Sequence, residues 1–201
     1  MVTTLKKIHT RRYVDYEVTH QGKKTYDIHL PEQTGDEVFT ITKNNQTLYE
    51  MKVNIHSINN RWSSEIFNEN KVKIGQSFKR SRMANFFIGY TYYEFEFMNR
   101  HFETFLIGIN GIKLLIFDVE TNKQIGLAET SGVLHNNLNE WEMYAKNEQD
   151  SLITLLATLH MDYRRFTLRG PVRNNVHKVV VGSPKKLKAK YQPSFKDGVL
   201  K

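Results

Sequence analysis

One segment constrains this chain more than any other: Ser151 to Phe166, in which Leu152, Leu155, Leu156, Leu159, Tyr163 and Phe166 recur at the period of an α-helix. Ile153, Ala157 and Met161 fill the opposite side, and the intervening Thr154 and Thr158 are small, so the first three turns are apolar nearly all round. Such a helix has to be surrounded. At about 1.5 Å per residue it spans roughly 24 Å, short of the ~30 Å hydrocarbon layer of a bilayer, so a protein shell is the expected surrounding. Leu152, Leu155, Leu156 and Leu159 are therefore expected in a core. Asn147 or Asp150 is placed to cap the helix start. Asp162 reads as a buried hydrogen-bonding group or helix-end contact, and His160 as a core or rim histidine.

What precedes the helix has a period of two. From Arg11 to Tyr144, aromatic and β-branched residues alternate with polar ones and are interrupted by Asn, Gly and Asp at short intervals. Candidate strands are Tyr13–Val18, Lys24–Leu30, Val38–Lys43, Thr47–Ile55, Trp62–Phe67, Lys71–Phe78, Phe86–Phe97, Thr104–Ile109, Ile112–Asp118, Gln124–Glu129 and Glu140–Tyr144. Asn110-Gly111 and Asn44-Asn45 suit the positive φ angles of tight hairpin turns, and Thr121-Asn122-Lys123 marks a third turn. The expected fold is mainly β: an antiparallel barrel of about 11–12 strands enclosing one apolar C-terminal helix, the economical way to bury it.

Charge divides the chain at the helix end. The formal +8 of the whole chain resides in residues 167–201, where Lys and Arg face only Asp197, while residues 1–166 are formally neutral. Three of the four prolines lie in the same stretch. The expected organisation is a barrel domain, 1–166, with core helix 151–166, followed by a basic tail, 167–201, in which 177–182 has the composition of a short strand.

Three segments carry a family resemblance. Phe39-Thr-Ile-Thr-Lys-Asn-Asn-Gln-Thr-Leu-Tyr49 is a strand, turn and strand, Leu115 to Gly126 a later strand pair, and Leu152 to Asp162 a core helix with a late Asp. Over roughly Val38 to Phe166 the chain resembles the tubby C-terminal-like superfamily, with its LURP-one-related and phospholipid scramblase-like members. The resemblance implies the barrel with its central helix. It transfers no functional residue, because the phosphoinositide-binding Lys/Arg pair of tubby domains has no defined counterpart here.

Catalytic signatures are missing. The sequence has no cysteine, no P-loop, dinucleotide, zincin or nucleophile-elbow motif, and its eight histidines lack ligand spacing, so no enzyme activity, catalytic residue, metal or cofactor is expected. The aromatics Phe86, Phe87, Tyr90, Tyr92 and Tyr93 are read as barrel packing in preference to a nucleic-acid stacking platform. Basic clusters remain: Lys79, Arg80 and Arg82, read as a solvated connection between strands, and Lys185, Lys186, Lys188 and Lys190 in the tail. These seven are the candidate anion- or lipid-binding residues. The expected role is non-catalytic binding to anionic membrane lipid or another polyanionic surface, with nucleic acid or the ribosome as the alternative partner. With no signal peptide or membrane span in its pattern, the chain is expected in the cytoplasm, peripheral at the inner membrane face if it binds lipid.

Overall fold

The computed structural model describes residues 1–9, 13–31, 37–54, 63–85, 88–135, 138–166, 176–179, 181–182 and 184–200. Twelve strands close an antiparallel barrel: β1 (Val2–His9), β2 (Val14–His20), β3 (Lys23–Leu30), β4 (Glu37–Lys43), β5 (Gln46–Asn54), β6 (Ser63–Asn68), β7 (Lys73–Asn85), β8 (Ile88–Phe97), β9 (Arg100–Gly108), β10 (Ile112–Asp118), β11 (Lys123–Thr130) and β13 (Glu140–Ala145). Neighbours in sequence pair throughout except at the seam, where β13 joins β11 to β1 and closes the cylinder. Outside it, β12 (Val133–His135) pairs with β14 (Val176–Lys178). The helices are α1 (Glu148–Phe166), α2 (Lys185–Lys188) and α3 (Ser194–Leu200).

The expected turns are where the backbone turns. Asn44 and Asn45 have φ of 52° and 62°, Asn110 and Gly111 have 47° and 103°, and Asn122 has 51°. At Gly111 a Cβ would lie 2.6 Å from the Thr130 carbonyl oxygen, so only glycine fits.

Helix α1 fills the barrel. Every residue from Ile153 to Tyr163 is buried, and Leu155, Leu156 and Leu159 share one core with Leu5, Ile28, Phe39, Met51, Ile66 and Phe102 from strands all round the wall. Leu152, at the mouth, is half-buried against the same core. The helix begins three residues earlier than its apolar pattern. Asn147 caps it: its Oδ1 accepts from the Asp150 backbone N–H at 2.8 Å while its Nδ2 donates back to Asp150 Oδ2 at 2.8 Å. On β11, Gly126 leaves room for Thr154; a Cβ there would sit 2.1 Å from Thr154 Oγ1.

Three expectations change. β1 is a strand beyond the candidate set, because its alternation is broken by inward-facing Lys7. Lys79, Arg80 and Arg82 do not form a connection: β7 continues through them to Asn85. The expected strand 177–182 is the shorter β14, and the segment after it packs on the barrel. There Leu187, Phe195, Tyr191 and Val199 cover Phe105, Ile107, Leu115, Phe117, Leu127 and Tyr144 on the outside of β9, β10, β11 and β13. β10 is consequently buried along its whole length, by α1 on one face and the tail on the other.

Leu156 is 1% exposed. Leu156→Asp leaves a charge unpaired at the barrel centre, at a cost of several kcal/mol against a typical stability of about 5–15 kcal/mol. The variant is expected to show no cooperative thermal transition by circular dichroism, and a melt like wild type would contradict the enclosed helix.

Candidate functional site

Polar groups in the apolar interior of the barrel are costly unless they are paired. Asp162, on the last turns of α1, is fully buried and takes four partners. Lys7 of β1 lies 2.6 Å from Oδ2, to which Tyr16 of β2 also donates at 2.8 Å. Asn139 and Trp141 Nε1 each donate to Oδ1 at 2.8 Å. Asn139 in turn accepts from Thr130 Oγ1 at 2.7 Å. Burial alone would push the carboxyl up, but the Lys7 charge and the donors outweigh it and hold Asp162 below the usual carboxylate range. Lys7 and Asp162 are both 0% exposed. Enclosed in this way, the ion pair fastens the helix to the wall.

His160 lies two residues earlier, on another side of the helix and in a different setting. Its ring meets Tyr93 and Phe95 edge-on at 5.0 and 5.5 Å, and neither nitrogen has a hydrogen-bond partner among the described residues. Burial lowers its pKa to about 4. Among the described residues no three His, Cys, Asp or Glu side chains gather as metal ligands, and no helix is long and apolar enough to cross a membrane. At the end of the barrel where α1 begins, a cavity of about 140 Å³ lies over Val18, Tyr26, Leu152 and Leu155, with His20 and Lys43 among its polar lining.

Strand alternation sorts the basic candidates on β7. Arg80 is exposed, paired with Glu94 at 2.7 Å, and opposite Tyr92 in register. Lys79 is opposite buried Tyr93, so alternation places it on the inner side. Arg82 follows on the β7 backbone, and its side chain lies outside the described residues. The three are therefore not one cluster.

Tyr92 links Arg80 to the tail. It stacks on Phe105 of β9 at 5.6 Å, and the Lys190 ammonium sits over Phe105 at 4.4 Å and Phe117 at 5.1 Å, with Glu103 at 3.8 Å. Lys190 is thus spent on docking. Lys196 behaves alike: it lies 4.5 Å over the Tyr144 ring, 3.1 Å from Glu129 and 3.8 Å from Glu142. Burial opposes ionisation of Glu129, yet Lys113 and Lys196 together hold its pKa down. Leu187 is 2% exposed and pins α2, which turns Lys185, Lys186 and Lys188 outward. None of those three has an ion-pair partner among the described residues, and all are exposed.

The docking residues were legible in part. Leu187, Tyr191, Phe195 and Val199 recur every four residues, an apolar edge among lysines that composition alone conceals. Lys7 carried no signal of its own; an acid late in an otherwise apolar helix was the indication that a buried cation must exist.

No family model matches the chain, and comparison with curated proteins and with solved structures returned no match.

The interior histidine gives a pH dependence. His160 stays neutral in the fold down to about pH 4, whereas the unfolded chain takes up that proton near 6.5. The depressed value means that the native state binds fewer protons in this window, so stability is complete above about pH 6.5 and falls towards pH 4, by roughly 3 kcal/mol in all. Urea unfolding of wild type and His160→Phe between pH 4 and 7.5 checks this. The variant is expected to lose most of that slope, and parallel curves would contradict the burial of a neutral imidazole.

Proposed function

We propose that the chain is a non-catalytic, tubby-like binding protein that holds anionic membrane lipid against the outer wall of its barrel. The closed barrel around a late apolar helix supports the tubby-like part of this reading. One observation carries the binding part: the tail is sorted into lysines that dock it and lysines left over. Lys190 and Lys196 are occupied by aromatic rings and carboxylates of the wall, while Lys185, Lys186 and Lys188 project from a helix whose only buried residue is Leu187.

A lysine triplet on a fixed wall suits a planar array of phosphates, to which each contributes about 1 kcal/mol near an anionic surface. Arg80 lies on the same outer face across Tyr92 and Phe105, with Glu94 beside it. Its neutralised position assigns the larger share to α2.

Flotation with vesicles of phosphatidylserine and phosphatidylcholine against phosphatidylcholine alone tests the reading. Wild type is expected to float with the anionic vesicles at low salt and to release as salt rises. Lys185→Glu/Lys186→Glu/Lys188→Glu is expected to lower binding by at least tenfold with its melting temperature unchanged. Retardation of RNA at the same salt, without vesicle binding, would place the partner among nucleic acids instead.

A further inference from the structure

The end of the barrel where α1 begins is closed by tight turns. Gln21-Gly22, Asn44-Asn45, Met98-Asn99 and the 119–122 turn all use positive φ, and the turn from Asn68 to Lys73 uses it at Lys71. Seven large apolar side chains are exposed among the described residues, and three of them stand on successive hairpins of this one rim: Val72 at 56%, Met98 at 45% and Val119 at 49%. They occupy the β6–β7, β8–β9 and β10–β11 turns.

Turn geometry does not account for them. Turns favour Gly, Asn, Asp and Ser, and Met98 sits at φ 48°, in the left-handed region that asparagine adopts at lower cost. Two of the three turns are also held rigid. Asn68 Oδ1 accepts from the N–H groups of Asn70 and Val72 at 3.0 and 2.9 Å. Asp118 Oδ1 accepts from both the N–H and the hydroxyl of Thr121 at 2.9 Å, and Arg100 ties Asp118 across the neighbouring hairpin at 3.0 Å. Each apolar tip has a cation beside it: Lys71 and Lys73 flank Val72, Arg100 follows Met98, and Lys123 closes the Val119 turn. Lys71 and Lys73 pair with Glu50 and Glu65, and Glu69 and Glu120 are acids of the same turns. Lys43 and Lys146 lie on the same rim, together with Glu148 at the start of α1.

We propose that this rim is the membrane-facing end: Val72, Met98 and Val119 enter the boundary between headgroups and acyl chains of an anionic bilayer, and Lys123, exposed and without an ion-pair partner among the described residues, meets lipid phosphate beside them. The inference rests on the lipid reading above and adds how the molecule is oriented, with α1 directed N-terminus first towards the bilayer. Three apolar side chains on separate tips provide far less than the ~800 Å² per partner of a stable protein interface. A bilayer interface accepts them singly, and lysine stems lie alongside while their ammonium groups stay at the headgroups. The wall strand β9, which carries α2, starts at this rim with Arg100, so the α2 lysines and the tips lie along one side of the molecule.

Two variants test it with phosphatidylserine-containing vesicles. Val72→Ser/Met98→Ser/Val119→Ser removes the apolar tips without adding charge, and it is expected to lower vesicle partitioning at least tenfold while melting like wild type. Met98→Trp places a reporter on the central tip, and its fluorescence is expected to be quenched by shallow-brominated lipid beyond the level of the native tryptophans. Wild-type flotation together with an unimpaired serine variant and no added quenching in Met98→Trp would overturn the rim while leaving the lipid reading standing. Failure of wild type to float on anionic vesicles would overturn both. Should the serine variant melt early, the Met98→Trp quenching decides alone.

Discussion

The carboxylate of Asp162 is the interaction on which the rest of this structure depends. Apolar packing alone fixes the register of a helix apolar on nearly every side less sharply than a directed polar contact does, because individual dispersion contacts are weak and non-directional. One buried charge changes that. Asp162 has acceptor sites that Lys7, Tyr16, Asn139 and Trp141 fill, and these come from β1 and the segment leading through β13, which meet at the barrel seam, and from β2 beside them. Burying both ions costs several kcal/mol each in desolvation, so the pair is weak as a source of net stability. Its value is positional: removing either partner strands the other, which penalises any register in which the helix and the closing strands are not mutually aligned.

With the seam closed, the outer wall becomes a consequence. β10 and its neighbours point apolar side chains to both faces, and a one-sided barrel would leave Phe105, Leu115, Phe117 and Leu127 in water. The tail resolves this with two short helices, neither long enough to be stable alone. Their docking uses apolar anchors four residues apart and lysine ammonium groups set over aromatic faces. The same lysine-rich composition thereby does two jobs. Lys190 and Lys196 are consumed in holding the tail down, and the turn of α2 about Leu187 leaves the remaining cations facing away from the protein.

Most of the barrel was legible because period-two alternation and Asn-rich turns are local signals, and the helix because its periodicity is long and strong. Asn44-Asn45 and Asn110-Gly111 turn where their tolerance of positive φ says they should. What stayed hidden was decided by distant partners. Lys7 looks like a solvent residue until Asp162 is placed beside it, and that adjacency spans nearly the whole chain. Lys79 and Arg80 look like one cluster until their strand continues and alternation sends them to opposite faces. The tail looks like free charge until the all-apolar β10, whose pattern already implied cover on both sides, is given something to be covered by.

The Lys7–Asp162 pair fastens the helix to the seam, and a double-mutant cycle of Lys7→Met and Asp162→Asn measured by urea unfolding tests this most directly. Each single change is expected to cost about 3–5 kcal/mol, with the double variant well short of their sum, a coupling of about 2 kcal/mol or more. Additive costs, or single variants as stable as wild type, would show that the helix is held by apolar packing alone and would contradict the central place given to this carboxylate.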